Sequence, residues 1–362
     1  MHRLRIRWLP GIICVFIFCG GCTSLDQVGD LNKPDPVALR FFDWEDDIPE
    51  SVFHAFEDET GIKVEYLPFS SMEMARDAIL ANDQFDLVVF ESDFISELNQ
   101  AGVLSELDHS LLSNISYLSP DFRDLDYDPG NHYSVPFQWG STGLIIRSDL
   151  VEFIPQNWLD LWRDDLGCVI GVREGAPYDF IGIVLKSLGY SANSEDRDEL
   201  LVAFERIMML EDRIRLVDYS SERAVEPLLS GEINTLIGWS EDYWLAKENS
   251  EDIEFVIGIE GALLRVDNYV IPSSCEHRQE AHMLLNFLMR PDIAAEISNW
   301  NYYASANLAA EEFIEEKILQ SHIVYPSPED MRDAEVFLPR SDDSDQLVLL
   351  IWEEFLAETG VK

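Results

Sequence analysis

Two charged residues interrupt the apolar run at residues 263–272: Arg265 and Asp267. If the run is a strand, residues two apart share a face, so this guanidinium and this carboxylate point the same way. A carboxylate on an otherwise apolar strand is buried, and a buried charge needs a partner. Acids also gather where two other apolar runs end, at residues 43–47 and 91–93. The chain holds 69 acids and 25 bases in 362 residues, a formal charge of −44. Such a field concentrates cationic ligands, although salt adaptation or plain solubility also explains an acidic surface.

No other spacing carries chemistry. There is no G-x-x-x-x-G-K-[ST] loop and no H-E-x-x-H helix. The stretch Gly238-Trp239-Ser240-Glu241-Asp242 lacks the second Gly of a nucleophile elbow. His277 and His282 are five apart, which puts them on different helix faces and predicts solvated side chains. Neither a catalytic centre nor a metal or cofactor is expected.

The elements that must position Arg265 and Asp267 alternate between strand and helix. A strand at 37–43 is followed by a helix opened by Pro49 and Glu50 and closed by Gly61. A strand at 62–67, a helix capped by Ser70 and running to Asn82, a buried strand at 86–90 and a helix at 93–101 follow. Strands at 143–147, 168–172 and 235–238, with helices at 178–188 and 196–210, form a second series. The run at 263–272, a helix at 276–289 ended by Pro291, and a helix at 346–358 complete the chain. This alternation builds a mainly parallel sheet flanked by helices, with ligands at the carboxyl ends of the strands.

Residues 1–22 have a basic start, a short apolar core and Cys19-Gly20-Gly21-Cys22. That pattern predicts an export signal over 1–21 and a lipid on Cys22. Residues 22–37 then read as a polar, Pro-containing tether. Once Cys14 and Cys19 leave with the signal, only Cys168 and Cys275 remain beside Cys22. An exported chain could pair them, but their spacing does not require it. The charge excludes a nucleic-acid binder, which needs Lys and Arg to displace counterions. With 47% hydrophobic and 11% aromatic residues the chain builds large cores and is not disordered.

Several segments occur in the order of one family. They are Phe42-Asp43-Trp44, the Phe56–Val64 stretch, Phe85-Asp86-Leu87-Val88-Val89 and the Tyr133–Gly140 stretch. Asn157-Trp158-Leu159-Asp160-Leu161-Trp162, Leu188-Gly189-Tyr190-Ser191, the Asn286–Asp292 stretch and Asn307-Leu308-Ala309-Ala310 continue the series. Over residues 38–362 the chain resembles the spermidine/putrescine-binding proteins of ABC importers. The resemblance implies an α/β, two-lobe periplasmic-binding-protein fold with a ligand cleft between the lobes. Lobe one is expected at 38–140 and 267–312, lobe two at 141–266 and 313–362, with crossings near 139–142, 265–268 and Ala310. It also implies a monomer, without enzymatic activity, that works with ABC permease subunits in the periplasm or on the outer face of the cytoplasmic membrane, held there by its lipid.

By the same resemblance, Trp44, Trp239 and Tyr303 offer aromatic faces to a polyamine, and Asp267 grips an amine. Asp46 and Asp179 stand in place of Glu. Asp47 and Asp93 occupy positions usually held by Tyr, Ala176 replaces a second central carboxylate, and Phe337 replaces a Gln. The Tyr302–Tyr303 pair also resembles iron-binding relatives of the fold, but no matching His and Glu accompany it. Arg265 stands where the family has Trp, and two readings follow. Arg265 pairs with Asp267, Asp47 or Asp93 and the ligand is a polyamine or related small amine. Alternatively, Arg265 grips a ligand carboxylate and the ligand is a zwitterion such as an amino acid. A ligand sensor could use the same fold and site.

Overall fold

The computed structural model describes residues 37–174 and 177–360. The expected signal, the tether as far as residue 36, Cys22 and Ala176 lie outside the described residues. In chain order the elements are β1 (Ala38–Trp44), α1 (Glu50–Thr60), β2 (Lys63–Phe69), α2 (Met72–Leu80), β3 (Leu87–Glu91), α3 (Ser92–Gln100) and β4 (Ser134–Arg147). Then come β5 (Ile170–Arg173), α4 (Pro177–Ser187), α5 (Arg197–Met208), β6 (Ile214–Val217), α6 (Ser221–Ser230), β7 (Thr235–Gly238), α7 (Ser240–Lys247) and β8 (Ile253–Val256). The chain continues through β9 (Leu263–Val270), α8 (Arg278–Leu288), α9 (Pro291–Asn301), β10 (Ala304–Ser305), α10 (Glu316–Leu319), β11 (Glu335–Val336) and α11 (Asp342–Thr359).

The period of two is plain in β1. Leu39 and Phe41 enter one core with Val52, Phe56 and Tyr269, whereas Phe42 faces the opposite way onto Phe69, Phe85 and Val88. Both faces of this sheet are therefore covered. A separate core joins β5, α4 and α5 to α11 through Ile170, Phe180, Leu200, Trp352 and Phe355. A third cluster packs Ile314, Ile318 and Val324 onto Trp139, Leu264 and Val266 of β4 and β9.

The strand order is β2-β1-β3-β9-β4-β7-β5-β6, with β8 and β10 on β4 and β11 on β9. The arrangement is more mixed than the expected mainly parallel sheets. Pairing is parallel among β1, β2 and β3 and among β5, β6 and β7, but antiparallel where β9 meets β3 and β4 and where β4 meets β7. The reason is topological. β4 carries the chain from one series to the other and β9 brings it back, so the two run side by side in opposite directions. β4 is far longer than the segment read from sequence. Its first part pairs with β9 as far as Thr142, and from Gly143 onward it pairs with β7 and β8. A Cβ at Gly143 would come within 2.3 Å of the Phe255 ring, so only Gly fits this switch.

Local signals acted with small offsets. Gly61 ends α1 in the left-handed region at φ 74°, which Gly adopts without steric cost. The cap of α2 is Ser71, not Ser70; its hydroxyl accepts the Met74 N–H at 3.1 Å. Pro291 does more than stop α8. It opens α9, a helix not read from the sequence, because Pro suits the first helical turn. His282 is buried rather than solvated: its Nε2 accepts the Asp108 N–H at 2.9 Å and its Nδ1 donates to the Arg278 carbonyl at 2.6 Å. Cys168 and Cys275 are buried free thiols in separate cores.

Candidate ligand-binding site

Arg265 and Asp267 do share a face of β9, while Leu264 and Val266 point into the third cluster. The Arg265 guanidinium uses all three nitrogens. Nη2 donates to Asp179 Oδ2 at 2.7 Å and Nε to the same oxygen at 3.2 Å, and Nη1 donates to Glu91. Its carbon lies 4.8 Å from the centre of the Phe337 ring. These partners differ from the expected Asp267, Asp47 and Asp93. Glu91 ends β3 and Asp179 stands in the first turn of α4, so the guanidinium joins the two strand–helix series. Asp179 also accepts from the Thr142 hydroxyl. Burial pushes the Asp179 carboxyl up, but the Arg265 charge and its hydrogen bonds outweigh burial and hold it below its usual range. For Glu91 burial wins over Arg265, and Asp93, Asp267 and Asp179 add to the upward shift.

A second carboxylate group is built differently. In the β9–β4 ladder Asp267 lies opposite Gln138, just past an irregularity between Pro136 and Gln138. Irregularities of this kind re-aim side chains. The Gln138 amide nitrogen donates to Asp267 Oδ2 at 2.9 Å and to Asp47 Oδ2 at 2.9 Å. Asn301, the last residue of α9, donates to Asp47 Oδ1 at 2.9 Å and to Gln138 Oε1 at 2.7 Å. Neither Asp47 nor Asp267 has an ion-pair partner among the described residues. Asp43 is wholly buried; its Oδ1 accepts the Trp44 N–H at 2.8 Å, and its Oδ2 has no partner among the described residues. Burial, then the charge of Asp47, lifts Asp267 to about 7. Burial lifts Asp47 to about 6 and, with Asp47 beside it, raises Asp43 well above the carboxylate range.

Aromatic rings lie beside these groups. Trp44 stacks on Tyr219 with centroids 5.9 Å apart and planes 15° off parallel, and Tyr219 meets Trp239 edge-on at 6.0 Å. Arg173 lies 4.1 Å over Trp239 and forms a buried pair with Asp242. The Trp239 indole N–H has no partner among the described residues. The Tyr303 ring lies against Gly140, where a Cβ would come within 2.9 Å of it. Asp93 is lifted to about 6, chiefly by burial, and its Oδ1 is also without a partner among the described residues. Asp46 stands apart. It is exposed in a turn at φ 60°, and only its carbonyl is engaged, by the Trp300 indole N–H at 2.8 Å.

The sequence profile described as bacterial extracellular solute-binding protein matches residues 51–322. The chain belongs to this family. Its curated-sequence relatives include the spermidine/putrescine-binding periplasmic protein of Escherichia coli, 29% identical over 309 residues, which cover 84% of this chain and 87% of that one. The putrescine-binding periplasmic protein PotF of Escherichia coli is 31% identical over 364 residues, covering 95% of each chain. Among solved structures, the spermidine/putrescine transporter substrate-binding protein PotD of Streptococcus pneumoniae superposes with a TM-score of 0.81 at 26% identity, covering 89% of this chain and 99% of that one. The resemblance read from the ordered motifs is thereby met, and with it the periplasmic-binding-protein fold.

In this solute-binding protein the structure brings Trp44, Asp47, Asp93, Asp179, Trp239, Arg265, Asp267 and Tyr303 into one region and leaves Asp46 outside it. Gln138, Asn301 and Tyr219 were missed, and Glu91 was placed among the strand-end acids without a role of its own. Glu91 and Tyr219 had a usable signal, since each lies where a strand gives way to a helix. Gln138 and Asn301 had none, because one depends on a strand irregularity and the other on the unread helix α9. Among the described residues no helix is long and apolar enough to cross a membrane.

Proposed function

We propose that this solute-binding protein captures a small amine of the diamine and polyamine class between its two lobes and delivers it to the permease of an ABC importer. The lobes would be divided as the resemblance implies. The protein would act as a monomer outside the cytoplasmic membrane, anchored through Cys22. One observation carries the ligand class: buried Asp47 and half-buried Asp267 lie side by side with only neutral amide donors between them. An ammonium placed there supplies the missing charge, and charge-assisted hydrogen bonds of this kind are roughly twice as strong as neutral ones. The names of the relatives support the same reading. The zwitterion reading is disfavoured because every nitrogen of Arg265 is already committed to Asp179 or Glu91. Calorimetry on the purified domain tests the proposal. A signal with putrescine, cadaverine, spermidine or spermine is expected, and silence with all four beside a signal with amino acids would overturn it. The anchor is tested by Cys22→Ala, which should release the protein from membranes without changing ligand binding.

A further inference from the structure

The two carboxylate groups differ in what neutralises them. Glu91 and Asp179 share a guanidinium whose three nitrogens are all bonded and whose face lies on Phe337. Asp179 takes a further hydrogen bond from Thr142. A ligand ammonium brought there would find Glu91 and Asp179 occupied and a fixed positive charge beside it, and the Asp93 oxygen without a partner among the described residues lies next to that charge. Asp47 and Asp267 have no bonded cation among the described residues; Arg265 acts on Asp267 only through space. Asp43 lies wholly buried within their field and keeps an oxygen without a partner among the described residues. Glu241 also bears on Asp47. Glu241 is thus a further carboxyl in this field: its Oε2 accepts the Ser221 hydroxyl at 3.1 Å, and burial, with Asp242 beside it, lifts it to about 7.

We infer that Arg265 is a built-in cation that takes the place of a distal ligand ammonium, so that the site selects short diamines and rejects triamines and tetraamines. The inference rests on the amine reading above and adds a limit on ligand size that the reading does not contain. It requires that all ligand charge be met on the Asp47–Asp267–Glu241 side. A longer polyamine must either leave an ammonium unpaired or bring it against Arg265, and like charges in a desolvated cleft repel strongly.

The test is calorimetry of putrescine, spermidine and spermine against three forms of the protein. Wild type should bind putrescine at least tenfold more tightly than spermine. Arg265→Gln removes the charge, keeps hydrogen-bonding capacity, and should shift the spermine-to-putrescine affinity ratio at least tenfold toward spermine. Arg265→Lys keeps the charge and should keep the wild-type preference, which separates a charge effect from general damage to the cleft. If wild type binds spermine as tightly as putrescine, or if Arg265→Gln leaves the ratio within threefold, the size limit is wrong while the amine reading stands. If none of the three binds wild type, and cadaverine does not either while amino acids do, both fall.

Discussion

Two acid groups are centred two residues apart on β9, one at Arg265 and the other at Asp267, and they differ in whether a cation is bonded within them. At Arg265 burial is compensated for one acid: Asp179 stays ionised because a guanidinium is bonded to it, whereas burial still raises Glu91. Around Asp267, burial has not been compensated, and the carboxyls of Asp47 and Asp267 rise to about 6 and 7. Polar side chains hold both groups in place, but only the first contains a bonded cation. The difference separates acids that build the protein from acids that wait for something. A count of carboxylates in the cleft would have treated them alike.

The comparison can be broken most sharply by removing one acid from each side. Asp179→Asn leaves Arg265 with one ionic partner fewer in a buried site. Breaking a buried pair costs about 3–5 kcal/mol, and Glu91 should soften this toward the lower end, so a large fall in the unfolding midpoint is expected. Asp267→Asn should do the opposite to stability, because it deletes an uncompensated charge. Its cost should appear in binding, where losing one partner of a desolvated charge pair removes about 2–5 kcal/mol, or ~30- to 4,000-fold in affinity. Denaturant melts and calorimetry on the two variants measure both effects. Equal destabilisation by the two substitutions would show that the acid groups are not different in kind.

The pH dependence is smaller and has a definite sign. In the unfolded chain these carboxyls titrate near 4. In the ligand-free fold, Asp47, Asp267 and Glu241 hold their protons up to about 6–7. Their contribution to stability is therefore fully present below about pH 4 and is lost as pH rises through 6–7. Thermal unfolding of the ligand-free protein should accordingly fall from pH 5 to pH 8. Amine affinity should rise over the same interval, because the cation binds the ionised forms, and a gain of about tenfold is expected. Asp267→Asn should flatten both slopes. Slopes of the same sign for stability and affinity would contradict the assignment. The smallest effect belongs to Asp46→Asn. With its side chain in solvent, affinity should stay within twofold of wild type, and a larger change would extend the site to the turn.

How much of this was legible follows from which contacts are local. The shared face of Arg265 and Asp267 follows from a period of two, and Trp44 and Asp47 from the end of a strand. Those need only the neighbouring residues. The partners of Arg265 could not be read, because Glu91 and Asp179 meet only when two strand–helix series fold against each other. Gln138 depends on an irregularity that shifts the ladder, and Pro136 beside it signals trouble in a strand without giving its direction. Asn301 was lost with α9, since Pro291 was read as a stop when it was also a start. The mixed sheet was hidden for a related reason: strand direction is set by where the chain returns, which no local window contains.

β4 changes its neighbours between Thr142 and Gly143 without any break in its own extended backbone. The ion pair of Arg265 and the hydroxyl of Thr142 both act at this point. Rotation of one sheet against the other must therefore be absorbed as twist along a pair of hydrogen-bonded strands, as in a torsion bar, and not as free bending of a slack linker. Such a bar resists and returns. The Phe255 ring pressed on Gly143 leaves it no room to buckle, so the amide protons on both sides of the switch should exchange slowly whether or not the cleft is filled.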